Sequence, residues 1–209
     1  EFVLQRVLGE YHAAHVVCGH DFRFGDRGAG DPEKLAALCH EEGVGCDCIP
    51  EIRVDGQTVS STLIRRLLAE GEMARAVRFL GHPHVLSGTV VSGRKLGRMI
   101  GIPTANLQLP PGVLTPRFGV YAAKACFDGQ RLPAVVNIGV RPTVGGGSVT
   151  VEPWILDYEG DLYGKRLRLE FYTFLRPERK FSSLEELRQE ILHNAAQTRA
   201  FFDDSEQSC

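Results

Sequence analysis

The spacing of apolar residues changes character part-way along this chain. In the first part, short apolar runs alternate with segments in which apolar residues recur every three or four positions. Residues 15–19 and 46–54 predict strands, and residues 32–43 predict a helix, for which Asp31 and Pro32 suit the N-cap and the first helical position. This alternation predicts an α/β fold with parallel strands and crossover helices.

A longer helical pattern follows, from residue 60 to residue 81. Apolar residues recur there at helical spacing, and Gly71 interrupts the pattern because glycine is unfavourable inside a helix. From about residue 84 the chain instead shows short strands separated by turns. Residues 119–127 and 131–139 predict a hairpin across an Asp-Gly pair, which tolerates the positive φ of a tight turn.

The last part of the chain continues the β pattern and then ends in a helix. Residues 149–158 and 165–175 alternate like strands and are expected to pair with each other. Four or more strands with no helix between them favour a small barrel or sandwich. The closing helix is expected from about residue 184 to residue 202, where Ser183 and Glu186 have the spacing of a capping box.

Composition bounds the number of domains and the class of partner. With 209 residues, 43% of them hydrophobic, the chain can hold two small domains, which we place at residues 1–80 and 84–203. The formal net charge of −2 gives no general attraction to nucleic acid or anionic lipid, and no run approaches the roughly 20 apolar residues of a membrane span. We expect small-molecule substrates, neither nucleic acid nor membrane as a partner, and the cytoplasm as the location.

Six cysteines show no regular spacing, which favours reduced thiols in a chain of this length. A zinc site built from Cys39, His40, Cys46 and Cys48 is the alternative. It is the less favoured one, because no second pair follows at zinc-finger spacing.

A glycine-rich segment with several cations is the first candidate binding site. Glycines let a backbone approach a ligand closely while neighbouring cations neutralise phosphate charge. The segment contains no Walker motif, and on composition alone a solvated basic turn is the alternative. Its residues are Gly93, Arg94, Lys95, Gly97 and Gly101.

Thr104 and Asn106 form the second candidate, directly after Pro103. In an extended segment, residues two apart project to the same side, so a hydroxyl and an amide oxygen would face one point. Both are hard oxygen ligands, suited to Mg²⁺ held together with phosphate oxygens. A capped turn after a proline is the alternative, since Thr and Asn are common turn residues.

Glu152 is the third candidate, because it lies in a predicted strand that is otherwise apolar. An unpaired carboxylate is costly to bury, so it either pairs with a cation or serves as a base. In phosphoryl transfer the protein mainly positions groups and neutralises charge, and one base on the acceptor hydroxyl with a magnesium site would suffice.

These motifs, in order and spacing, resemble the riboflavin kinase module of the bacterial bifunctional riboflavin kinase/FAD synthetase family. The resemblance covers residues 84 to about 200 and rests on GTVVSGRKLGRMIGIPTANLQL, NIGVRPT, VEPWILDYEGDLYG and FLRPERKFSSLEEL. It implies a Greek-key β-barrel with a C-terminal helix that transfers the ATP γ-phosphate to the riboflavin 5′-hydroxyl, giving FMN. It further implies that Thr104 and Asn106 help hold Mg-ATP, that the glycine-rich segment covers the nucleotide, and that Glu152 is the general base. Arg176, Glu178 and Phe181 are assigned to the flavin side.

One position departs from the family pattern. Where the family usually has Val-His or a similar pair after the glutamate, this chain has Pro153 and Trp154. Because proline lacks the ladder donor, we expect an edge strand or a bulge at this point. This departure suggests an alternative to the kinase, namely a non-catalytic module that binds flavin or nucleotide. An oligonucleotide-binding barrel is a third possibility, disfavoured by the near-neutral charge and the single tryptophan.

The first part of the chain is similar to the FMN adenylyltransferase module of the same family. CGHDFRFGDRGAGD resembles its flavin-side loop, which implies roles for Asp21 and Phe24. VSSTLIRRLL resembles its Ser-Ser-Thr motif, in which Ser61, Thr62 and Arg65 would form a phosphate site at a helix start. A plain N-cap is the alternative for the serines and threonine. The family's upstream glycine and two-histidine motif has no counterpart here, so we expect a partial, Rossmann-like module that lacks adenylyltransferase activity.

Overall fold

The chain divides into two compact units, Glu1–Val59 and Ser60–Cys209. The computed structural model describes residues 2–93, 101–143 and 146–206. Among these residues, no helix combines the length and the apolar character that crossing a membrane requires.

The first unit contains a small parallel sheet covered by a helix. β1 and β2 pair in parallel, with His15 opposite Gly45 and Gly19 opposite Ile49, as the predicted strand–helix–strand pattern requires. Its elements are a π-helical segment Phe2–Glu10, β1 His15–Gly19, a 3₁₀ turn Asp26–Gly28, α1 Pro32–Glu41, β2 Gly45–Ile49, β3 Arg53–Val54 and β4 Gln57–Thr58.

The helix α1 begins where the sequence predicts. The Asp31 side chain accepts a hydrogen bond from the Lys34 amide at 2.9 Å, and Pro32 occupies the first helical position. Two residues of this helix, Leu35 and Cys39, are buried in a cluster with Cys18 of β1. The expectation of one strand over residues 46–54 was wrong. β2 ends before Pro50, and Arg53–Val54 instead forms a two-residue hairpin with Gln57–Thr58.

The second unit consists of two short helices, a six-stranded sheet and a long C-terminal helix. Gly71, at φ 83°, ends the first helix and confirms the predicted interruption. The elements are α2 Ser61–Glu70, α3 Met73–Leu80, β5 His84–Val91, β6 Asn106–Gln108, β7 Gly119–Phe127, β8 Gln130–Thr143, β9 Gly146–Ile155, β10 Arg166–Arg176 and α4 Leu184–Glu206.

The six strands are antiparallel and follow the order β6-β5-β10-β7-β8-β9. The predicted β7–β8 hairpin is confirmed, and both turn residues have positive φ, 46° at Asp128 and 76° at Gly129. The predicted pairing of β9 with β10 is wrong, because β10 lies between β5 and β7. Leu167, Leu169 and Phe171 of β10 are buried, as suits a central strand with partners on both edges.

The two ends of this strand order come together and nearly close the sheet into a Greek-key barrel. At that junction, which we call the seam, the Ala105 amide donates a hydrogen bond to the Pro153 carbonyl at 2.9 Å. β9 pairs with β8 along one edge only, so Pro153 stands in an edge strand, where its missing N–H removes no bond to β8. The seam therefore fixes the segment before β6 against the strand that carries Glu152.

Helix α4 packs on β7 and β8, on the outer face of the barrel. The Ser183 hydroxyl accepts from the Glu186 amide at 3.1 Å, which is one half of the predicted capping box. The Glu186 carboxylate accepts from the Ser182 amide at 2.8 Å, one residue before the expected partner. This start places the first turns of α4 beside the barrel wall.

Candidate active site

A cavity of about 330 Å³ lies between the outer face of the barrel and helix α4. Its size falls within the range of small-molecule sites, and its walls combine apolar side chains with a few polar ones. β7, β8 and β9 supply one wall, and α4 with the segment before it supplies the other. The lining residues are Thr104, Val120, Val135, Asn137, Glu152, Trp154, Arg176, Glu178, Arg179, Phe181, Leu184, Leu187, Ile191 and Asn194.

The cavity brings together five residues that the sequence singles out from distant parts of the chain. They are Thr104, Glu152, Arg176, Glu178 and Phe181.

Glu152 reaches this cavity because β9 alternates its side chains between two environments. Val151, Pro153 and Ile155 are buried on one face, whereas Glu152 and Trp154 are half-buried and line the cavity on the other. Asn137 is the Cα partner of Glu152 in the β8–β9 ladder and lines the same cavity. The carboxylate thus lies on a rigid strand beside an amide side chain.

Thr104 lies at the seam and lines a second cavity of about 280 Å³ as well as the first. The hydrogen bond between Ala105 and Pro153 holds it beside the strand of Glu152. The second cavity is lined by Val90, Pro103, Thr104, Ala105, Pro153, Ile155, Tyr158, Glu159, Gly160, Asp161, Leu162 and Tyr163. Thr104 therefore borders both cavities.

Asn106 is held against the end of β5. A Cβ atom added at Gly93 would lie 2.0 Å from the Asn106 Nδ2, so this amide occupies the space that a larger residue at 93 would fill. Among the described residues, Asn106 is not part of either cavity lining. Gly101 is exposed and has φ 72°, a conformation that favours glycine. Arg94, Lys95 and Gly97 lie outside the described residues.

Arg176 is held in the lining of the first cavity by charge and hydrogen bonding. Its Nε lies 2.9 Å from a Glu190 carboxylate oxygen and donates to the Asn194 Oδ1 at 3.0 Å. Burial lowers the pKa of the guanidinium, and the Glu190 charge opposes this effect. Because arginine stays protonated even when partly buried, this end of the cavity holds a guanidinium charge that is paired with the Glu190 carboxylate.

Phe181 has two guanidinium groups close to its ring. The Cζ of Arg176 is 5.5 Å from the ring centroid, and that of Arg179 is 4.7 Å away. Arg179 also donates to Glu190 at 2.9 Å, which ties the segment before α4 to the helix. Glu178 packs against β8, since a Cβ atom at Gly139 would lie 2.1 Å from its Oε1.

The domain architecture is matched by two protein-family models. The riboflavin kinase model matches residues 80–202, which include the barrel, both cavities and most of α4. The chain belongs to the riboflavin kinase family. A second model, for FAD synthetase, matches residues 1–63.

Curated relatives of this family match almost the whole chain. The bifunctional riboflavin kinase/FMN adenylyltransferase of Pseudomonas fluorescens is 40% identical over 201 residues, which is 96% of this chain and 64% of that protein. The protein of the same name from Escherichia coli K12 is 38% identical over 202 residues, again 96% of this chain and 64% of the relative. The chain thus spans about three fifths of the length of these curated relatives.

A solved structure has the same fold over nearly the whole chain. It is named as a macrolide-efflux protein from Streptococcus pneumoniae and is 29% identical, with a TM-score of 0.82. The match covers 95% of this chain and 64% of that chain.

The residues assigned to an adenylyltransferase site fall in different units. In the first unit, Asp21 is exposed and Phe24 pairs with Gly30, where an added Cβ atom would lie 2.6 Å from the Phe24 ring. In the second unit, Ser61, Thr62 and Arg65 are exposed at the start of α2. The N-cap is Ser60, whose hydroxyl accepts from the Leu63 amide at 3.2 Å.

Sequence reasoning missed several residues of the first cavity. Asn137 interrupts a run of buried residues in β8, which is the same signal that identifies Glu152 in β9. Leu184, Leu187 and Ile191 line the cavity from α4, and no sequence pattern indicates which surface an amphipathic helix will cover. Asn194 is buried and bonded to Arg176, a contact that depends on the same tertiary packing.

No group of three or more His, Cys, Asp or Glu residues within the described part of the chain is arranged to hold a metal ion. The cysteines at 18, 39, 46, 48 and 126 are free thiols. The pair Thr104 and Asn106 would offer a metal ion neutral hydroxyl and amide oxygens instead of carboxylate or imidazole groups.

Proposed function

We propose that this protein is a riboflavin kinase, which transfers the γ-phosphoryl group of ATP to the 5′-hydroxyl of riboflavin and releases FMN and ADP. The observation that carries the proposal is the position of Glu152 on the wall of one cavity, with Thr104 shared between that cavity and the next. The acceptor oxygen would attack the γ-phosphorus and the bond to ADP would break. The hydroxyl proton would pass to the Glu152 carboxylate.

The two cavities differ in the ligand that each would accept. The first has extended apolar walls with polar groups at its edges, which suits the planar ring system and hydroxylated chain of riboflavin. The second adjoins Thr104 on the other side of the seam, and we assign it to the nucleotide. The hydroxyl end of riboflavin would then meet the terminal phosphate of ATP at Thr104 and Glu152.

The remaining residues would bind and orient the substrates. Arg176, Glu178 and Phe181 would form the flavin-side end of the first cavity, where the guanidinium and carboxylate groups would interact with polar edges of the ligand. On the nucleotide side, the glycine-rich segment with Gly93, Arg94, Lys95, Gly97 and Gly101 would cover the phosphates. Gly93 would also allow the Asn106 amide to keep its position, because its missing side chain leaves room for that amide.

Mg²⁺ is the metal that this site would take with ATP. The Thr104 hydroxyl and the Asn106 amide supply neutral oxygens, and Mg²⁺ commonly completes its coordination with phosphate oxygens and water. When bound, the ion would neutralise charge on the transferring phosphoryl group. The chain's own part is to hold these two oxygens on the short segment fixed by the seam.

For the longer protein we propose a second activity, adenylylation of FMN to FAD. The match of residues 1–63 to the FAD synthetase model supports this, as do the relatives named for both activities. Asp21, Phe24, Ser61, Thr62 and Arg65 are the residues of this chain that would contribute to it. A cytoplasmic location is part of the same proposal, because both substrates of the kinase are small intracellular metabolites.

The kinase proposal is tested by incubating the 209-residue chain with riboflavin and Mg-ATP and measuring FMN by chromatography. We expect Glu152→Gln to lower kcat by about 100-fold or more, because general-base catalysis contributes on that scale. Glu33→Gln, which alters an exposed carboxylate on α1, should leave kcat unchanged. Equal activity of Glu152→Gln would contradict the assigned base. Flavin and nucleotide binding without transfer by the unaltered chain would instead favour a binding module.

A further inference from the structure

Trp154 is a feature of the first cavity to which the kinase proposal gives no role. It is the single tryptophan of the chain and lies two residues after Glu152 on the same face of β9. Both side chains line the cavity. An indole ring therefore forms part of the wall next to the carboxylate that would act on the riboflavin hydroxyl.

The indole is held in place by the barrel and by α4. It packs against a buried cluster of Val120, Val135, Leu156 and Ala195, in which Val135 is its Cα partner on β8. Its residue is half-buried, so part of the ring is fixed in this cluster while another part borders the cavity. A ring fixed in this way loses little conformational freedom when a ligand binds.

The rest of the cavity wall makes this ring distinctive. The other apolar side chains that line it are aliphatic, except for Phe181, which is engaged by the guanidinium groups of Arg176 and Arg179. Among the described residues that line the cavity, Trp154 is thus the large aromatic side chain whose ring has no guanidinium group over it. Aromatic rings gain about 0.5–1.5 kcal/mol from offset stacking or edge contacts beyond the area they bury.

We propose that Trp154 is a specificity-determining residue that contacts the isoalloxazine ring of riboflavin directly. This inference rests on the proposed function. Oxidised isoalloxazine is planar and electron-poor, so it complements the electron-rich indole, whereas the reduced ring is bent and electron-rich. The contact therefore selects oxidised flavin and disfavours ligands that carry the ribityl chain without the planar ring.

The test uses flavin fluorescence, because an indole in contact with oxidised flavin quenches its emission by electron transfer. Riboflavin is titrated into the full chain, and both the dissociation constant and the emission of the bound flavin are measured. We expect strong quenching in the unaltered protein. Trp154→Phe keeps a ring but not the electron donor, so the emission should return while the affinity falls about twofold. Trp154→Leu should weaken binding about five- to tenfold.

A matched control distinguishes the effect of the indole ring from the effect of losing apolar cavity wall. Leu187→Ala also removes cavity wall, so it should weaken binding and leave the quenching intact. No tyrosine is among the described residues that line this cavity, so the quenching reports on the indole. Circular dichroism checks folding, and Trp154→Phe carries the test if Trp154→Leu does not fold.

The outcomes distinguish this inference from the kinase proposal. If bound riboflavin is still quenched in both Trp154 variants and its affinity is unchanged, the proposed contact is wrong. The kinase proposal would be unaffected by this result. An unaltered protein that binds no riboflavin would overturn both. Selection is checked separately with anaerobically reduced riboflavin. We expect the unaltered protein and Trp154→Leu to bind reduced riboflavin with nearly the same affinity. If Trp154→Leu weakens the binding of reduced riboflavin as much as that of oxidised riboflavin, the proposed selectivity is wrong.

Discussion

At the scale of single residues, Gly93 matters through the space that it leaves for Asn106. We expect Gly93→Ala to displace the Asn106 amide, since the added Cβ atom would overlap it, and to raise the KM for ATP severalfold. Gly93 is not among the glycines with positive φ, so the effect of alanine reports on the overlap with Asn106 and not on backbone strain. Steady-state kinetics with ATP varied, and fluorescence titration for riboflavin affinity, measure the two effects separately.

The controls for Gly93→Ala identify the group that matters. Ser92→Ala, at the neighbouring exposed position, should leave both constants unchanged. The double variant with Asn106→Ala removes the overlap and the amide together. If that double variant regains normal ATP kinetics, the Asn106 amide has no part in ATP binding and the assignment fails.

Glu170 is a buried carboxylate away from the cavities, and its role is structural. It accepts from Arg131 at 2.9 and 2.8 Å and lies 3.0 Å from Arg168. Burial alone would raise the pKa of Glu170, but the hydrogen bond from Arg131 and the two arginine charges outweigh it and hold the pKa below its ordinary value.

The lowered pKa predicts a specific pH dependence of stability. The carboxylate contributes stability above its unfolded pKa of about 4.3, and this contribution is lost as the pH falls through the lower folded value. We expect Glu170→Gln to lower the free energy of unfolding at pH 7 by about 1–3 kcal/mol. The loss should shrink below pH 4, and denaturant unfolding across pH checks both points. A loss that stays constant down to pH 2 would show that packing, not charge, is responsible.

At the scale of elements, the start of α4 belongs both to the cap of the helix and to the lining of the first cavity. Ser183 caps the helix, and Leu184 and Leu187 of its first turns line the cavity. We expect Ser183→Ala to destabilise the protein by about 1 kcal/mol and to speed hydrogen exchange over the first turn of α4. Ser183→Asp keeps an acceptor at this position and should restore both values. Unchanged exchange in Ser183→Ala would mean that packing alone fixes the helix start.

The helices and strands were largely predictable from the sequence, whereas the elements against which they pair and pack were not. The Asp128-Gly129 turn identified the β7–β8 hairpin because turn geometry is encoded locally. The alternation in β10 identified its buried face but not its partners, since pairing with β5 and β7 depends on contacts far apart in sequence. For the same reason, the sequence indicated Glu152 as a site residue but could not show that α4 would form the opposite wall.

At the scale of the whole molecule, the helices α2 and α3 belong with the barrel by their contacts. α3 contacts β5 and β10 and buries Met73, Ala76 and Phe79. The Arg117 amide, between β6 and β7, donates to the Leu68 carbonyl of α2 at 2.8 Å. The compact second unit accordingly starts at Ser60, although the riboflavin kinase model begins to match at residue 80.

These contacts lead to a prediction about the boundary. A chain of residues 60–209 should be more stable than one of residues 84–209 by roughly 3–6 kcal/mol, because the shorter chain exposes the surface that Met73 and Phe79 cover. Denaturant unfolding measures the difference, and riboflavin binding confirms that each chain is folded. Equal stability of the two chains would favour the boundary near residues 80–84 that the sequence pattern indicates.

The seam between β6 and β9 has a consequence for the order in which the molecule folds. β7, β8 and β9 pair with each other in the order of the sequence, whereas the seam joins Ala105 to Pro153, which is distant in sequence. Contacts between distant residues are entropically costly and tend to form slowly. A nascent barrel can therefore form the hairpins of β7, β8 and β9 before Thr104 meets the strand of Glu152. Catalytic activity would then appear later than these local hairpins, because it needs a contact between distant parts of the chain.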